Sequence, residues 1–414
     1  MWPFGERPSR LIRGRPTSLH AEASKVDLLV LQSTAFCNLD CSYCYLPNRN
    51  SKQRMARETA VQAVRRVVES RYAGDTLTVV WHAGEPLTLP IDYYERVLAL
   101  IEEVRPASVD LTQSMQTNGT LIDDKWADFF KRHRIRLGVS IDGPKELHDL
   151  RRRTRRGAGT FDATMRGIRK LQQHGVPFHV ISVVTWETLD AADALFDFYL
   201  EQGIDHVGFN IEEIEGINRG SSLERPDVLE RYERFLERFL ARRAALDGKG
   251  VILREHAGAA SCIVHGGSVE VDNAQVRPCG IVTVDVDGNI SMFSPELLGT
   301  TSERYGNFIF GNVHTHSLDD CLAEPNFVSF YRDLRAGVEK CRRECEYFDL
   351  CGGGAPVNKL AENGAVDTTD TLYCRLRTKA VVNVVLREAE QAVGLLSANP
   401  GDATPFGSIG QRVA

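Results

Sequence analysis

Three cysteines in the run CNLDCSYC, Cys37, Cys41 and Cys44, are spaced so that one tight loop can turn three sulfurs to the same side. Thiolates hold iron–sulfur clusters, usually four to a cluster. Three would leave one iron without a protein ligand and open to a small chelating molecule. A closed structural zinc is the alternative, but it needs four ligands, commonly as two separated pairs. No fourth ligand is evident in this loop. A second group, CRRECEYFDLC with a distant partner, supplies Cys341, Cys345, Cys351 and Cys374. Four thiolates on such spacings suit either a closed zinc site or a fully ligated 4Fe–4S cluster. Cys262, Cys279 and Cys321 complete the ten cysteines, and isolated cysteines commonly pack as small hydrophobes.

A ligand loop needs rigid elements on either side. Apolar runs at 26–34, 77–82, 109–117, 135–142, 177–185 and 206–213 alternate with amphipathic stretches near 55–73, 91–104, 121–132, 160–174, 187–202 and 225–246. Six β-then-α units over 25–250 predict an α/β parallel sheet with helices outside, either a partial barrel or a doubly wound sheet. Barrel chemistry gathers at the C-terminal ends of the strands, and the polar motifs fall there. HAGEP follows the second strand, QTNGTL the third, SIDG the fourth and NIEE ends the sixth. After about residue 250 the rhythm breaks into short strands, Gly-rich turns and cysteines, which predicts a small metal-braced domain over 251–390. Residues 1–24 and 391–414 read as flexible ends. No separate peptide-binding module is expected ahead of the barrel.

A formal charge of −6 gives no basic footprint, so a nucleic-acid partner is disfavoured. The one biased run, RRRTRR at 151–156, reads as a solvated surface run. No apolar run is long enough to span a membrane and the N-terminus lacks the apolar segment of a signal peptide, so a cytoplasmic protein without a membrane partner is expected. In that compartment short cysteine spacings favour metal over disulfides.

The triad, Tyr43 before its last cysteine, and the order of the motifs behind strands two, three and four resemble the radical S-adenosylmethionine (SAM) superfamily, over about residues 26–390. The resemblance implies a partial (β/α)6, TIM-like barrel. It also implies a 4Fe–4S cluster on Cys37, Cys41 and Cys44, and SAM chelated at the open iron, where its cleavage releases a 5′-deoxyadenosyl radical. Tyr43, His82, Gly84, Glu85, Asn118, Ser140 and Arg152 are then the expected SAM neighbours, Arg152 through a guanidinium fork suited to a carboxylate. One departure is Ala83, which stands where the family's Gly-Gly-Glu motif begins.

Behind such a barrel the dense cysteine group resembles the SPASM extension of peptide-modifying enzymes. That implies at least one auxiliary 4Fe–4S cluster, on Cys341, Cys345, Cys351 and Cys374. A full extension holds two, and the cluster nearer the barrel requires cysteines where this chain has Phe293 and Ala355. Only Cys262, Cys279 and Cys321 remain for it. The segments LLVLQSTAFCNLDCSYCYLPNR, CGGGAPVNKLAENG and YCRL look most like the cyclophane-forming maturases of Gly-rich-repeat precursor peptides (the GrrM/OscB type). The implied substrate is a precursor peptide, and the implied donor of electrons a flavodoxin or ferredoxin. The implied reaction abstracts hydrogen from a side-chain Cβ, joins that carbon to an aromatic ring, and sheds one proton and one electron. Asp142, Glu212 and Glu213, at strand ends, are the candidate bases. Anaerobic sulfatase maturases are the nearest alternative, since they share SIDGPKELHD and the SPASM plan, although they keep both auxiliary clusters. Thioether-forming maturases are another alternative, and a non-catalytic iron–sulfur or zinc scaffold is a rival of a different class.

Overall fold

The computed structural model describes residues 23–246, 250–265 and 273–398. Six strands, β1 (Leu28–Leu31), β2 (Thr76–Trp81), β3 (Asp110–Thr117), β4 (Arg136–Ser140), β5 (Phe178–Val184) and β6 (His206–Ile211), pair in parallel in chain order. Helices at Arg57–Val68, Ile91–Val104, Asp124–His133, Phe161–His174, Ala192–Glu201 and Val228–Ala244 follow one strand each, as the alternation of apolar runs predicts. A further short helix, Lys145–Arg151, continues the SIDG loop.

Each outer helix buries one stripe. Thr59, Ala60, Ala63, Val64, Val67 and Val68 recur at helical spacing on the first. The helix at Asp124–His133 starts where the Asp123 carboxylate accepts a hydrogen bond from the Trp126 N–H at 2.9 Å, and it buries Trp126, Ala127, Phe129 and Phe130. Those rings join Tyr94 and Trp81, which meet edge to face with centroids 5.2 Å apart, in one aromatic core between sheet and helices. Inside the sheet, Gly138 leaves room for the Gln116 side chain, whose Nε2 donates to Ser140 Oγ at 2.9 Å; a Cβ at Gly138 would meet Gln116 Oε1 at 2.0 Å.

The sheet does not end where the β-then-α rhythm ends. β7 (Ile252–Leu253) extends it beyond β6. At the other edge β8 (Ile281–Val284) lies parallel to β1, with Leu28 opposite Ile281, and β9 (Asn289–Met292) and β10 (Gly311–Asn312) follow antiparallel. Among the described residues this makes one ten-stranded sheet. IVTV in β8 is buried throughout, and such a short apolar run carries no period from which its partner could be read. The last helix, Val381–Ala398, passes the boundary expected at residue 390, so 391–398 are helical rather than a flexible tail. The rest of the expected flexible ends, 1–22 and 399–414, lie outside the described residues. Among the described residues no helix is long and apolar enough to cross a membrane.

Candidate active site

Cys37, Cys41 and Cys44 sit on the loop after β1, each half-buried or nearly so. The Cys44 N–H donates to Cys41 O at 3.2 Å, and the Leu39 N–H points at Cys37 Sγ at 3.4 Å, so the loop turns its sulfurs inward. The run 151–156, exposed as expected at Arg153, Arg155 and Arg156, also clamps this loop. Asp40 N–H donates to Arg153 O at 2.8 Å, Ser42 N–H to Arg151 O at 3.1 Å, and Arg155 Nε to Cys37 O at 2.8 Å. Burial pushes the Cys37 thiol up to about 12 and the Cys41 thiol to about 11, the latter against the pull of the nearby Arg152 guanidinium. Three neighbouring thiols held this way fit a metal cluster, whose binding must release their protons.

HAGEP crosses directly beneath the loop. Ala83 and Gly84 both have positive φ, 69° and 65°. A Cβ at Gly84 would stand 2.4 Å from Thr34 O and 2.8 Å from Phe36 O, so only glycine lets the two backbones meet. Glu85 N–H donates to Phe36 O at 2.8 Å, while its buried carboxylate accepts from Leu87 N–H, Thr117 Oγ1 and Asn118 N–H at 3.0, 2.7 and 2.8 Å. Burial raises Glu85 to about 7 in spite of these bonds. A carboxylate has about four acceptor positions, so one remains for a further donor such as an ammonium. Asn118 Nδ2 lies 2.8 Å from Asn38 Oδ1 and 3.9 Å from Cys37 Sγ. His82, which burial lowers to about 4 and so keeps neutral, pairs with Tyr45 Oη at 3.2 Å.

Behind the loop Asp142 ties three elements together. Its Oδ2 accepts from Tyr43 Oη at 2.5 Å and Arg152 Nε at 2.9 Å, and its Oδ1 from Val183 N–H at 2.9 Å. Asp142 and Arg152 form a buried ion pair, with the guanidinium over the Tyr43 ring at 5.4 Å. Glu212 is likewise taken up: its carboxylate accepts from the Ser222 N–H at 2.7 Å and from the Ser222 hydroxyl. Of the three carboxylates expected as bases, Glu213 lines a cavity.

That cavity, about 400 Å³, is walled by Glu213, Glu215, Glu296, Asn358, Tyr373 and Arg377, among others. Asn358 Nδ2 donates to Glu213 Oε2 at 2.8 Å. Burial raises Glu213 to about 8 and also raises Glu215 and Glu296. The cavity's cations are balanced by Glu255, a buried carboxylate beside both Arg254 and Arg377. The loop that carries Glu215 docks on the cysteine loop: Gly216, at φ 55°, would place a Cβ 2.3 Å from Tyr45 O, and the Ile217 N–H donates to that same oxygen at 3.1 Å. Glu215 and Glu296 were not singled out in the sequence. Each is a single acid in a loop, and the only available signal was Glu296 falling just after an apolar strand.

In the second group Cys341 and Cys374 each have Cys345 and Cys351 as electrostatic neighbours. Burial pushes Cys374 up to about 12 and also raises Cys341. Cys374 opens a π-helical stretch to Ala380 that also carries Arg377, a widened turn of the kind that recurs at functional sites. Lys359 is 2% exposed, and its ammonium donates to Cys341 Sγ at 3.4 Å. A buried cation calls for a counter-charge, and an anionic cluster on these thiolates supplies one, so the donor set fits. Among the described residues no three His, Cys, Asp or Glu side chains converge on a single ion. Cys279 and Cys321 lie apart from this group and are fully buried; Cys262 is on the helix Arg254–His265.

The sequence model of the radical SAM superfamily matches residues 31–199. An uncharacterized Synechocystis protein is 40% identical over 374 residues, 89% of this chain and 93% of its own length. The cysteine-type anaerobic sulfatase-maturating enzyme of Clostridium perfringens is 27% identical over 80% of this chain and 88% of its own. A solved structure of native anSMEcpe with bound AdoMet and Cp18Cys peptide superposes with a TM-score of 0.72 at 22% identity, covering 90% of this chain and 99% of that one; the likeness is one of fold. A cysteine loop after the first strand, clamped over a positive-φ Ala-Gly-Glu turn, meets these matches at the same place in the chain: this protein belongs to the radical SAM superfamily, enzymes that work with SAM and a 4Fe–4S cluster.

Proposed function

We propose that this chain is a SPASM-type oxidative maturase that takes a hydrogen atom from a side-chain carbon of a bound peptide, in the manner of the anaerobic sulfatase maturases it resembles. On this reading Cys37, Cys41 and Cys44 hold the cluster, and Tyr43, His82, Gly84, Glu85, Asn118 and Ser140 surround SAM. Cys341, Cys345, Cys351 and Cys374 hold an auxiliary cluster that takes up the departing electron, and a flavodoxin or ferredoxin delivers the reducing one. When bound, cluster and SAM supply the 5′-deoxyadenosyl radical. The rest falls to the chain's own groups. Glu213, raised to about 8 by burial, accepts the proton the oxidised substrate loses. Asn358 orients that carboxylate, while its neighbour Lys359 faces Cys341. Asp142 and Arg152 brace the cysteine loop from behind.

The observation that carries this reading is the acid-walled cavity, because its Glu215 loop docks on the backbone beside Cys44 and its Asn358 wall adjoins the second cysteine group. One feature favours a second reading. Phe293 and Ala355 depart from the two-cluster plan of the sulfatase maturases, which supports a cyclophane crosslink as the product. The test is to reconstitute the protein anaerobically, reduce it, and supply SAM with either a sulfatase-derived cysteine peptide or a Gly-rich peptide carrying aromatic residues. 5′-Deoxyadenosine with a hydrazide-reactive aldehyde in the first supports the sulfatase-type reaction. Loss of two hydrogens without an aldehyde in the second supports the crosslink. Stoichiometric cluster with no peptide-dependent 5′-deoxyadenosine from either refutes the proposal.

A further inference from the structure

The SPASM plan places a second auxiliary cluster beside the barrel, and the side chains at that place do not fit one. Phe293 is 0% exposed, with its ring 5.7 Å from Phe327 and 6.1 Å from Tyr331, nearly parallel to both at 14° and 13°. Phe330 closes on it at 5.4 Å. Tyr305, Phe308 and Phe310 pack edge-on or tilted around the same rings. Ala355, at the other expected ligand position, is buried and has no donor atom.

Two buried thiols lie on neighbouring elements. Cys279 and Cys321 are each 0% exposed and close enough to interact. Fully enclosed, they pack as small hydrophobes. Cys321 is enclosed so closely that a Cβ on Gly311 would come within 2.5 Å of its sulfur. Cys262 cannot complete a set, because its helix packs against Phe348–Cys351, the other cysteine group. Cys279 and Phe293 hold φ of 65° and 73°, left-handed backbone that non-glycine residues rarely adopt.

We infer that this chain binds no iron–sulfur cluster at the Phe293 position, which an aromatic stack fills, and that Cys279 and Cys321 are packing thiols. The inference rests on the SPASM reading of the chain. Loaded protein then carries two clusters rather than three.

Iron and acid-labile sulfide are measured per chain in the anaerobically reconstituted full-length protein. About eight of each are expected, unchanged when Cys279→Ala and Cys321→Ala are combined, and about four when Cys345→Ala removes one of the other thiols. A wild-type count near twelve overturns the inference, as does loss of about four irons in the double variant or a count of eight that Cys345→Ala leaves intact. A wild-type count near four upholds it while removing the auxiliary cluster from the proposed function, so the two ideas fail separately. Should the double variant not fold, the wild-type and Cys345→Ala counts still decide.

Discussion

Asp142→Asn separates two roles for a carboxylate at the end of β4. As a base, Asp142 would matter only to turnover. As the structure has it, one carboxylate satisfies Tyr43 Oη, Arg152 Nε and Val183 N–H at once. Asparagine keeps the shape and can still accept from Val183. It turns an amide donor toward Arg152, which can only donate, while Tyr43 Oη can still accept, and it leaves a buried guanidinium without its counter-charge. Removing one partner of a buried pair costs about 3–5 kcal/mol. The isosteric amide retains part of the network, so the lower end applies. About 3 kcal/mol corresponds to a fall in Tm of about 3–4 °C in a chain of this size. Because Arg152 also acts on Cys41, iron loading is expected to fall with it. Thermal melts by circular dichroism under anaerobic conditions, alongside iron content and 5′-deoxyadenosine formation, read all three. A variant that melts within about 1 °C of wild type, loads fully and yet fails to turn over would refute the bracing role and restore Asp142 as a base.

Glu213→Gln is expected to leave SAM cleavage in place while stopping peptide product, with the wild-type product rate rising toward pH 8 as Glu213 ionises; an unchanged pH profile in the variant sinks that assignment. The same shift bears on stability. A carboxyl raised from 4.5 to about 8 in the fold loses stability as pH climbs through that window, so urea midpoints should fall between those limits in the wild type and less in the variant. Gly84→Ala should prevent assembly of the cysteine loop, whereas Ala83→Gly should stabilise by about 1 kcal/mol through relief of a left-handed alanine; equal melting of the two variants contradicts the backbone contact. Lys359→Met should move the midpoint potential of the second cysteine group's cluster to more negative values, with Lys359→Arg restoring it, as followed by spectroscopic redox titration; no shift would mean the ammonium does not act on that group.

The barrel was legible because its strands are long apolar runs separated by amphipathic helices, and the cysteine loop because three sulfurs at fixed spacing survive any detail of folding. The polar motifs could be placed because each follows a strand. What could not be read depends on partners distant in sequence. Arg151 and Arg153 hold the cysteine loop through main-chain carbonyls and Arg155 through its side chain, contacts that an exposed basic run does not announce. Glu213, Glu215 and Glu296 become one wall only when the region after the barrel folds against β6. Asp142 and Glu212 look like equal alternatives to Glu213 until their donors are counted. β8 gave no hint of its partner, since four buried residues in a row fit either edge of a sheet.

The pairing of β8 with β1 has a consequence for how the chain is made. Leu31 leaves the ribosome about 250 residues before Ile281, and at about 5–20 residues per second that is a wait of about 12–50 s. Throughout that interval the strand leading into the cysteine loop has one row of amides and carbonyls exposed, a template for pairing with another nascent chain. Truncation at about residue 250 would make the exposure permanent. A fragment ending there should therefore aggregate, as light scattering of the truncated chain would show.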